Sequence, residues 1–284
     1  MQLIDDIEIL LPKLCDLIKQ AGHATLVYYK KNNLSIITKT DDSPLTQADL
    51  AANQIIVSGL NALSDIPIIS EETHQIDYAE RKNWKQFWLV DPLDGTKEFI
   101  KGSDEFTVNI ALIENEQPIL GLVYAPVLGE LYFGAIGFGA NYQKEDTDVI
   151  KLPFLKAKTS DSTLRVVTSA SHSDEKTNTF VEKLSGIFER SIVHISKGSS
   201  LKICLLATGQ ADIYPRMGPT CEWDIAAGHA VLRCAGGELY NLETKKPLAY
   251  NKNSLLNPHF IGCGFTIKNG ALFLKRFSYS DVCA

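Results

Sequence analysis

The stretch "WLVDPLDGTKEF" sets two carboxylates, Asp91 and Asp94, three residues apart at the end of an apolar run. Pro92 fixes its own φ and disfavours α geometry at Asp91, so the turn is stiff. Gly95 allows close backbone approach. If "GTKEF" opens a helix, its free N–H groups form an anion site at the same spot. Two carboxylates beside an anion site repel a phosphate unless a cation lies between them. Oxygen-only donors with no His or Cys favour a hard ion, Mg²⁺ above all when phosphate shares the coordination. Asp-Pro and Asp-Gly are also ordinary turn dipeptides. Either aspartate alone reads as a turn former, whereas the pair with Pro, Gly and Thr after an apolar strand reads as a metal and phosphate turn.

Other acids stand at other element ends. Glu71 and Glu72 follow "IPIIS", and alone they read as a solvated acidic turn. Asp224 precedes "IAA" and alone reads as an N-cap worth about 1 kcal/mol. Thr46 and Asp49 have the spacing of a capping box, which suffices to explain Asp49. The set carries more weight than its members. Two strand ends and two helix starts can bring these carboxylates to one face, and multimetal phosphatase sites need several carboxylates.

The elements that must position them are legible from periodicity. Ile7, Leu10, Leu11, Leu14, Leu17, Ile18 and Ala21 form one helical stripe, and Gly22 beyond them does not force a stop. A second helix starts near Thr46, with Ala52, Ile56, Leu60 and Leu63 on its buried face. "IPIIS", "FWLV" and "FTVNIALIE" read as strands. Residues 73–85 are polar and read as a flexible excursion. "PILGLVYAPVLGELYFGAIGFGANY" alternates glycine turns with β-branched and aromatic residues, the pattern of antiparallel hairpins. "KAKTSDST" reads as a junction between residues 1–158 and residues 159–284. Beyond it "LRVVTSAS", "SIVHIS" and "ADIYPR" read as strands. Residues 175–188, "SSLKICLLATG" and "EWDIAAGHAVLRCAGG" read as helices.

Composition excludes several classes. A net charge of −6 argues against a protein that coats a nucleic-acid polymer. Cys15, Cys204, Cys221, Cys234, Cys263 and Cys283 include no C-x-x-C pair, so no zinc or redox motif is indicated, and scattered free thiols suit a reducing compartment. The N-terminus carries Asp5, Asp6 and Glu8 and lacks the basic region of a secretory signal. The most apolar long region, residues 121–140, is broken by Pro126 and Glu130 and does not read as a membrane span. These features point to the cytoplasm. The oligomeric state stays open.

"DPLDGTKEF" and "EWDIAAGHAVLRCAGG" together resemble the DPxDGT and WDxAAG…AGG motifs of the inositol monophosphatase superfamily. "KTDDSPLTQADLAA", "DEFTVNIALIE", "GSSLKICLLATGQADIYPRMGPTCEWD" and "YNKNSLLNP" resemble its bacterial CysQ-type 3'(2'),5'-bisphosphate nucleotidase branch. The resemblance implies an α+β fold, a layered α-β-α-β-α sandwich in two halves like that of fructose-1,6-bisphosphatase. It implies that Glu71, Asp91 and the Leu93 carbonyl hold one Mg²⁺, that Asp91, Asp94 and Asp224 hold a second, and that Glu71 helps hold a third. Asp49 and Thr96 would orient and deprotonate water, and Gly95 and Thr96 would hold phosphate oxygens. His172, Ser199, Lys202, Arg216 and Asp224 would face the substrate. For these last residues local alternatives stay open: a helix cap for Ser199 or Ser200, a solvated lysine, a surface ion pair for Arg216, a loop or core histidine.

The implied reaction is Mg²⁺-dependent, lithium-sensitive hydrolysis of adenosine 3',5'-bisphosphate to AMP and phosphate, with 3'-phosphoadenylyl sulfate as a second substrate. It would clear a by-product of sulfate assimilation. The partner is then a small nucleotide bisphosphate. The implied location is the cytoplasm, with a peripheral position on the cytoplasmic face of the inner membrane as a variant. Two other readings are an inositol or sugar monophosphate phosphatase on the same scaffold and a non-catalytic nucleotide or phosphate sensor. The intact acid set argues against the sensor.

Overall fold

Two long helices open the chain. In a computed structural model, residues 7–31, 36–38, 44–73, 76–145, 147–155, 163–170, 175–267 and 274–276 are described. Helix α1 (Ile7–Leu26) buries Leu10, Leu11, Leu14, Leu17, Ile18 and Ala21, as the stripe requires, and runs on through Gly22. A Cβ at Gly22 would sit 2.5 Å from the Tyr124 ring, so glycine here permits close packing. The short strands β1 (Ile36–Thr38) and β2 (Pro44–Thr46) pair antiparallel and lead into α2 (Gln47–Leu63), whose N-cap is Thr46.

A seven-stranded sheet follows: β3 (Ile68–Ser70), β4 (Gln86–Asp94), β5 (Thr107–Glu114), β6 (Gln117–Ala125), β7 (Glu130–Ala135), β8 (Gly139–Lys144) and β9 (Ile150–Lys151), in that spatial order. Only β3 and β4 run parallel; the other neighbours pair antiparallel, and β6 to β8 are the hairpins read from the glycine spacing. Two short helices interrupt it, α3 (Tyr78–Arg81) and α4 (Thr96–Ile100). The second half supplies β10 (Thr163–Ser169), α5 (Glu175–Phe188), β11 (Ser191–Lys197), α6 (Leu201–Thr208), β12 (Ile213–Arg216), α7 (Glu222–Cys234), β13 (Glu238–Asn241) and β14 (Phe260–Cys263). Its sheet has the order β11-β10-β12-β14-β13.

Period-two alternation explains the layering. Along β4, Trp88 and Val90 join the apolar residues of α1 and α2, while Phe87 and Leu89 point the other way, into a core shared with α6 and α7. That second core also takes Val167, Tyr214, Leu239 and Phe260 from the five-stranded sheet. The far face of this sheet packs Leu164, Val166, Ile213 and Ile261 against Phe180, Val181 and Leu184 of α5. The order of layers is α1/α2, seven strands, α6/α7, five strands, α5. The α-β-α-β-α sandwich is therefore present. No described helix is long and apolar enough to cross a membrane.

Three local expectations need correction. Residues 73–85 are no loose excursion where described, because they form α3 and bury Arg81 at 3 % exposure. The Arg81 guanidinium donates to Asn251 Oδ1 and to the carbonyls of Lys252 and Asn253, and Asn251 Nδ2 returns a bond to the Arg81 carbonyl. Strand β4 does not end at "FWLV"; it continues to Asp94, and Asp91 is 1 % exposed. Asp224 is not an N-cap but the third residue of α7, with Cys221 as N-cap. Most of the expected junction, residues 156–162, lies outside the described residues. The five described cysteines are free thiols, and Cys283 lies outside the described residues.

Candidate active site

A β-bulge turns the two aspartates of β4 toward the same place. Asp91 pairs with Asn109 of β5 and Asp94 with Thr107, so β4 advances three residues while β5 advances two. Side chains three apart on a regular strand point to opposite faces, and one extra residue restores them to the same face. Both aspartates line a cleft of about 540 Å³ between the two sheets. The turn is closed by Leu93 N–H, which donates to Asp91 Oδ1 at 3.0 Å. Gly95 follows at φ 90°, a left-handed conformation that costs glycine little, and N-caps α4.

Asp49 and Thr96 meet behind this turn. The capping box is real: Thr46 N–H and Thr46 Oγ1 both donate to Asp49 Oδ2, at 2.8 and 2.5 Å. It uses one carboxylate oxygen only. The other, Oδ1, lies 3.4 Å from Thr96 Oγ1, which also stands 3.2 Å from the Leu93 carbonyl. Glu71 arrives from the end of β3, steadied through Ser70 Oγ, which donates to Asn53 of α2 at 2.7 Å.

The second half closes the site from above. Ser199 Oγ and Ser200 Oγ donate to Asp94 Oδ2 at 2.7 and 2.8 Å. Ser200 Oγ also lies 2.6 Å from the Asp224 carbonyl and accepts from Asn109 Nδ2, while Ser199 shares a short bond with Thr107. Ser200 is the N-cap position of α6 but makes no side-chain cap bond. The serines are thus spent on an acid rather than on the helix end. Asp224 Oδ2 accepts from Cys221 N–H at 2.8 Å.

Electrostatics show what this crowd of acids lacks. Burial, then the charges of Glu71, Asp94 and Asp224 and a hydrogen bond with Glu71, push the Asp91 carboxyl well above the usual aspartate range. Burial and then Asp94 push Asp224 the same way against the pull of the Cys221 N–H, and burial raises Asp49. Carboxylates that raise one another need protons or cations to share the space. The donors are all oxygen, which suits a hard divalent ion. Their spacing is that of hydrogen-bonded acids: among the described residues no three His, Cys, Asp or Glu stand as a finished metal cage. One oxygen each of Asp91, Asp94 and Asp224 is turned to a protein donor instead.

Opposite the acids stand two bases. Lys202 on α6 is 7 % exposed, so it is no solvated first-turn residue. Its Nζ donates to the Ser199 carbonyl and lies 5.8 Å from the Tyr214 ring centroid. Burial lowers its pKa to about 8, with Asp94 pulling upward and Arg216 downward. Arg216, at the end of β12, donates from Nη2 to the Pro219 carbonyl, and its buried Nε has no hydrogen-bond partner among the described residues.

Glu71, Asp91, Leu93, Asp94, Gly95, Thr96, Ser199, Lys202, Arg216 and Asp224 all line the one cleft, with Asp49 behind Thr96. His172 lies outside the described residues. Sequence reasoning missed Ser200 as an acid clamp, Tyr214 under Lys202 and Glu98 at the cleft wall. The "SS" pair was a visible signal, but its partner, Asp94, is 106 residues away.

Comparison with known proteins supplies the context. A model of the "Inositol monophosphatase family" matches residues 6–271. A protein of Shigella flexneri, "3'(2'),5'-bisphosphate nucleotidase CysQ", is 45% identical over 254 residues, covering 88% of this chain and 98% of the relative. The crystal structure of CysQ from Bacteroides thetaiotaomicron superimposes with a TM-score of 0.79 at 42% identity, covering 89% of this chain and 96% of that one. An IMPase of Thermotoga maritima shares the fold, with a TM-score of 0.72 at 24% identity over 93% of this chain and 96% of the other.

Proposed function

Because this chain belongs to the inositol monophosphatase family, we propose that it is a divalent-metal-dependent 3'(2'),5'-bisphosphate nucleotidase that converts adenosine 3',5'-bisphosphate to AMP and phosphate. One observation carries the choice of substrate: Lys202 and Arg216 face the acid wall across one cleft, so the site offers a metal-type wall for one phosphate and a cationic wall for another. A substrate with two phosphates uses both.

In this reading Glu71, Asp91 and the Leu93 carbonyl would hold one Mg²⁺, Asp91, Asp94 and Asp224 a second, and Glu71 would help hold a third. Bound there, the ions would supply acidified water and neutralisation of phosphate charge. The chain's own residues do the rest. Thr96 Oγ1 takes the water proton once its own proton passes toward Asp49 Oδ1, 3.4 Å away; such bonds tighten in the reacting complex. Gly95 and Thr96 N–H groups hold oxygens of the attacked phosphate. Ser199 and Ser200 hold Asp94 in place. Lys202 and Arg216 bind the second phosphate, Asp224 also borders the substrate, and His172, outside the described residues, is the remaining proposed substrate contact. The fixed geometry supplies most of the rate, as in phosphoryl transfer generally.

The proposed division is into residues 1–158 and 159–284; in support, the seven-stranded sheet lies in the first range and the five-stranded sheet in the second, and α6 and α7 pack in a core between them. The cytoplasm, where sulfate assimilation leaves this bisphosphate as a by-product, is the proposed place of work, and 3'-phosphoadenylyl sulfate is the proposed second substrate. Parallel phosphate-release assays on adenosine 3',5'-bisphosphate and inositol 1-phosphate test the reading. Turnover of the nucleotide supports it. Turnover of the inositol ester alone replaces it with the sugar-phosphatase alternative, and binding without turnover replaces it with a sensor.

A further inference from the structure

One acid of the cleft has no task in the reaction described. Glu98, on α4, is 7 % exposed and lines the cleft. It is the third residue of α4, where a glutamate commonly reaches back to the N-cap N–H, yet the N-cap Gly95 has no such side-chain bond. Among the described residues the Glu98 carboxylate has no hydrogen-bond partner. Lys202 feels its charge, but no bond joins the two. Its position is tight: a Cβ built on Gly95 would stand 3.3 Å from Glu98 Oε2 and 3.4 Å from Ser199 Cβ. The carboxylate therefore lies over the phosphate turn, between Gly95 and the start of α6.

With no protein donor and with its residue lining the cleft, this carboxylate presents its oxygens to the cleft, where a donor on a bound ligand can take the place of water. It cannot face a phosphate, which it repels. The donor it fits is a neutral hydroxyl beside the phosphate held at Gly95 and Thr96. On a nucleoside 3'-phosphate that group is the vicinal ribose 2'-hydroxyl. We propose that Glu98 is a specificity-determining residue that accepts a hydrogen bond from the ribose 2'-hydroxyl next to the scissile ester. The inference rests on the nucleotidase reading and adds to it a preference for ribose over deoxyribose.

The test compares kcat/KM for adenosine 3',5'-bisphosphate and 2'-deoxyadenosine 3',5'-bisphosphate in the wild type, Glu98→Ala and Glu98→Gln. A ratio of two substrates on one preparation is independent of how much of a variant folds. The wild type is expected to favour the ribonucleotide by about 10-fold or more, the range of a hydrogen bond to a charged group. Glu98→Ala is expected to bring the ratio to near unity, and Glu98→Gln, which keeps an acceptor oxygen, to retain part of the preference. A wild-type ratio near one, or a ratio that Glu98→Ala leaves unchanged, overturns the inference while the nucleotidase reading stands. If the wild type cleaves neither nucleotide, that reading fails, and the inference with it.

Discussion

The acid wall and the basic wall of the cleft border the same space and are built by opposite means. Asp91 and Asp94 sit on β4, inside a sheet packed on both faces, and each has an oxygen fixed by a protein donor. The bases sit on α6 and the end of β12; Lys202 Nζ donates to a carbonyl and lies 5.8 Å from the Tyr214 ring centroid, and Arg216 Nε has no partner among the described residues. The acids raise one another and so call for cations, whereas the bases hold donors in reserve and so call for an anion. Position is fixed on the first wall, where chemistry depends on it. Charge is held ready on the second, where the substrate is chosen.

Breaking the acid wall should have the largest effect. Asp91→Asn is expected to lower kcat/KM by about 1,000-fold or more, since it removes a shared metal ligand. Its thermal midpoint without metal should not fall, because Asn keeps the acceptor for Leu93 N–H and removes a repelling charge. A large loss of stability in that metal-free state would show that Asp91 is structural. Next comes Thr96→Ala. We expect a fall in kcat of roughly 100-fold, the scale of a lost proton acceptor, with divalent-ion affinity nearly unchanged; calorimetric titration separates the two.

The basic wall should respond in substrate selection. Lys202→Met is expected to raise KM for adenosine 3',5'-bisphosphate by about 10- to 100-fold and to affect a nucleoside 3'-monophosphate much less. The Lys202 ammonium is present below about pH 8 and lost above it, so wild-type kcat/KM for the bisphosphate should decline as pH rises through that value. Equal losses on both substrates would assign Lys202 to packing.

A smaller effect sharpens the contrast through pH. Asp91 and Asp224 hold protons in the folded state above the pH at which the unfolded chain releases them, so metal-free stability falls as pH rises from the ordinary aspartate range upward. Cations replace those protons. The rise in thermal midpoint on adding Mg²⁺ should therefore be larger near about pH 8 than near about pH 5. An equal rise at both would place the ion away from these acids.

The chain announced the acids more clearly than what holds them. Asp91 and Asp94 were legible because strand, proline and glycine punctuate one short stretch, but the bulge that aligns them depends on pairing with β5. Helices α1 and α2 followed from their apolar spacing because each shows one face to a core. Arg81 looked like part of a polar loop because its partners lie 170 or more residues away, where Asn251 turns at φ 65°. Ser199 and Ser200 looked like caps for the same reason: local rules assign a serine to its nearest helix end, and here a distant carboxylate outbids that end. Lys202 looked solvated because a lysine early in a helix usually is, and only the second sheet behind it buries the side chain.

The central claim is that Glu71, Asp91, Asp94 and Asp224 gather around divalent cations. Anomalous diffraction from crystals grown with Mn²⁺ and AMP tests it directly. The account predicts strong peaks about 2 Å from carboxylate oxygens of those four residues, with the nucleotide's remaining phosphate against Lys202 and Arg216. Peaks elsewhere, with the Asp94 carboxylate still bound to Ser199 and Ser200 and no metal beside it, would contradict it.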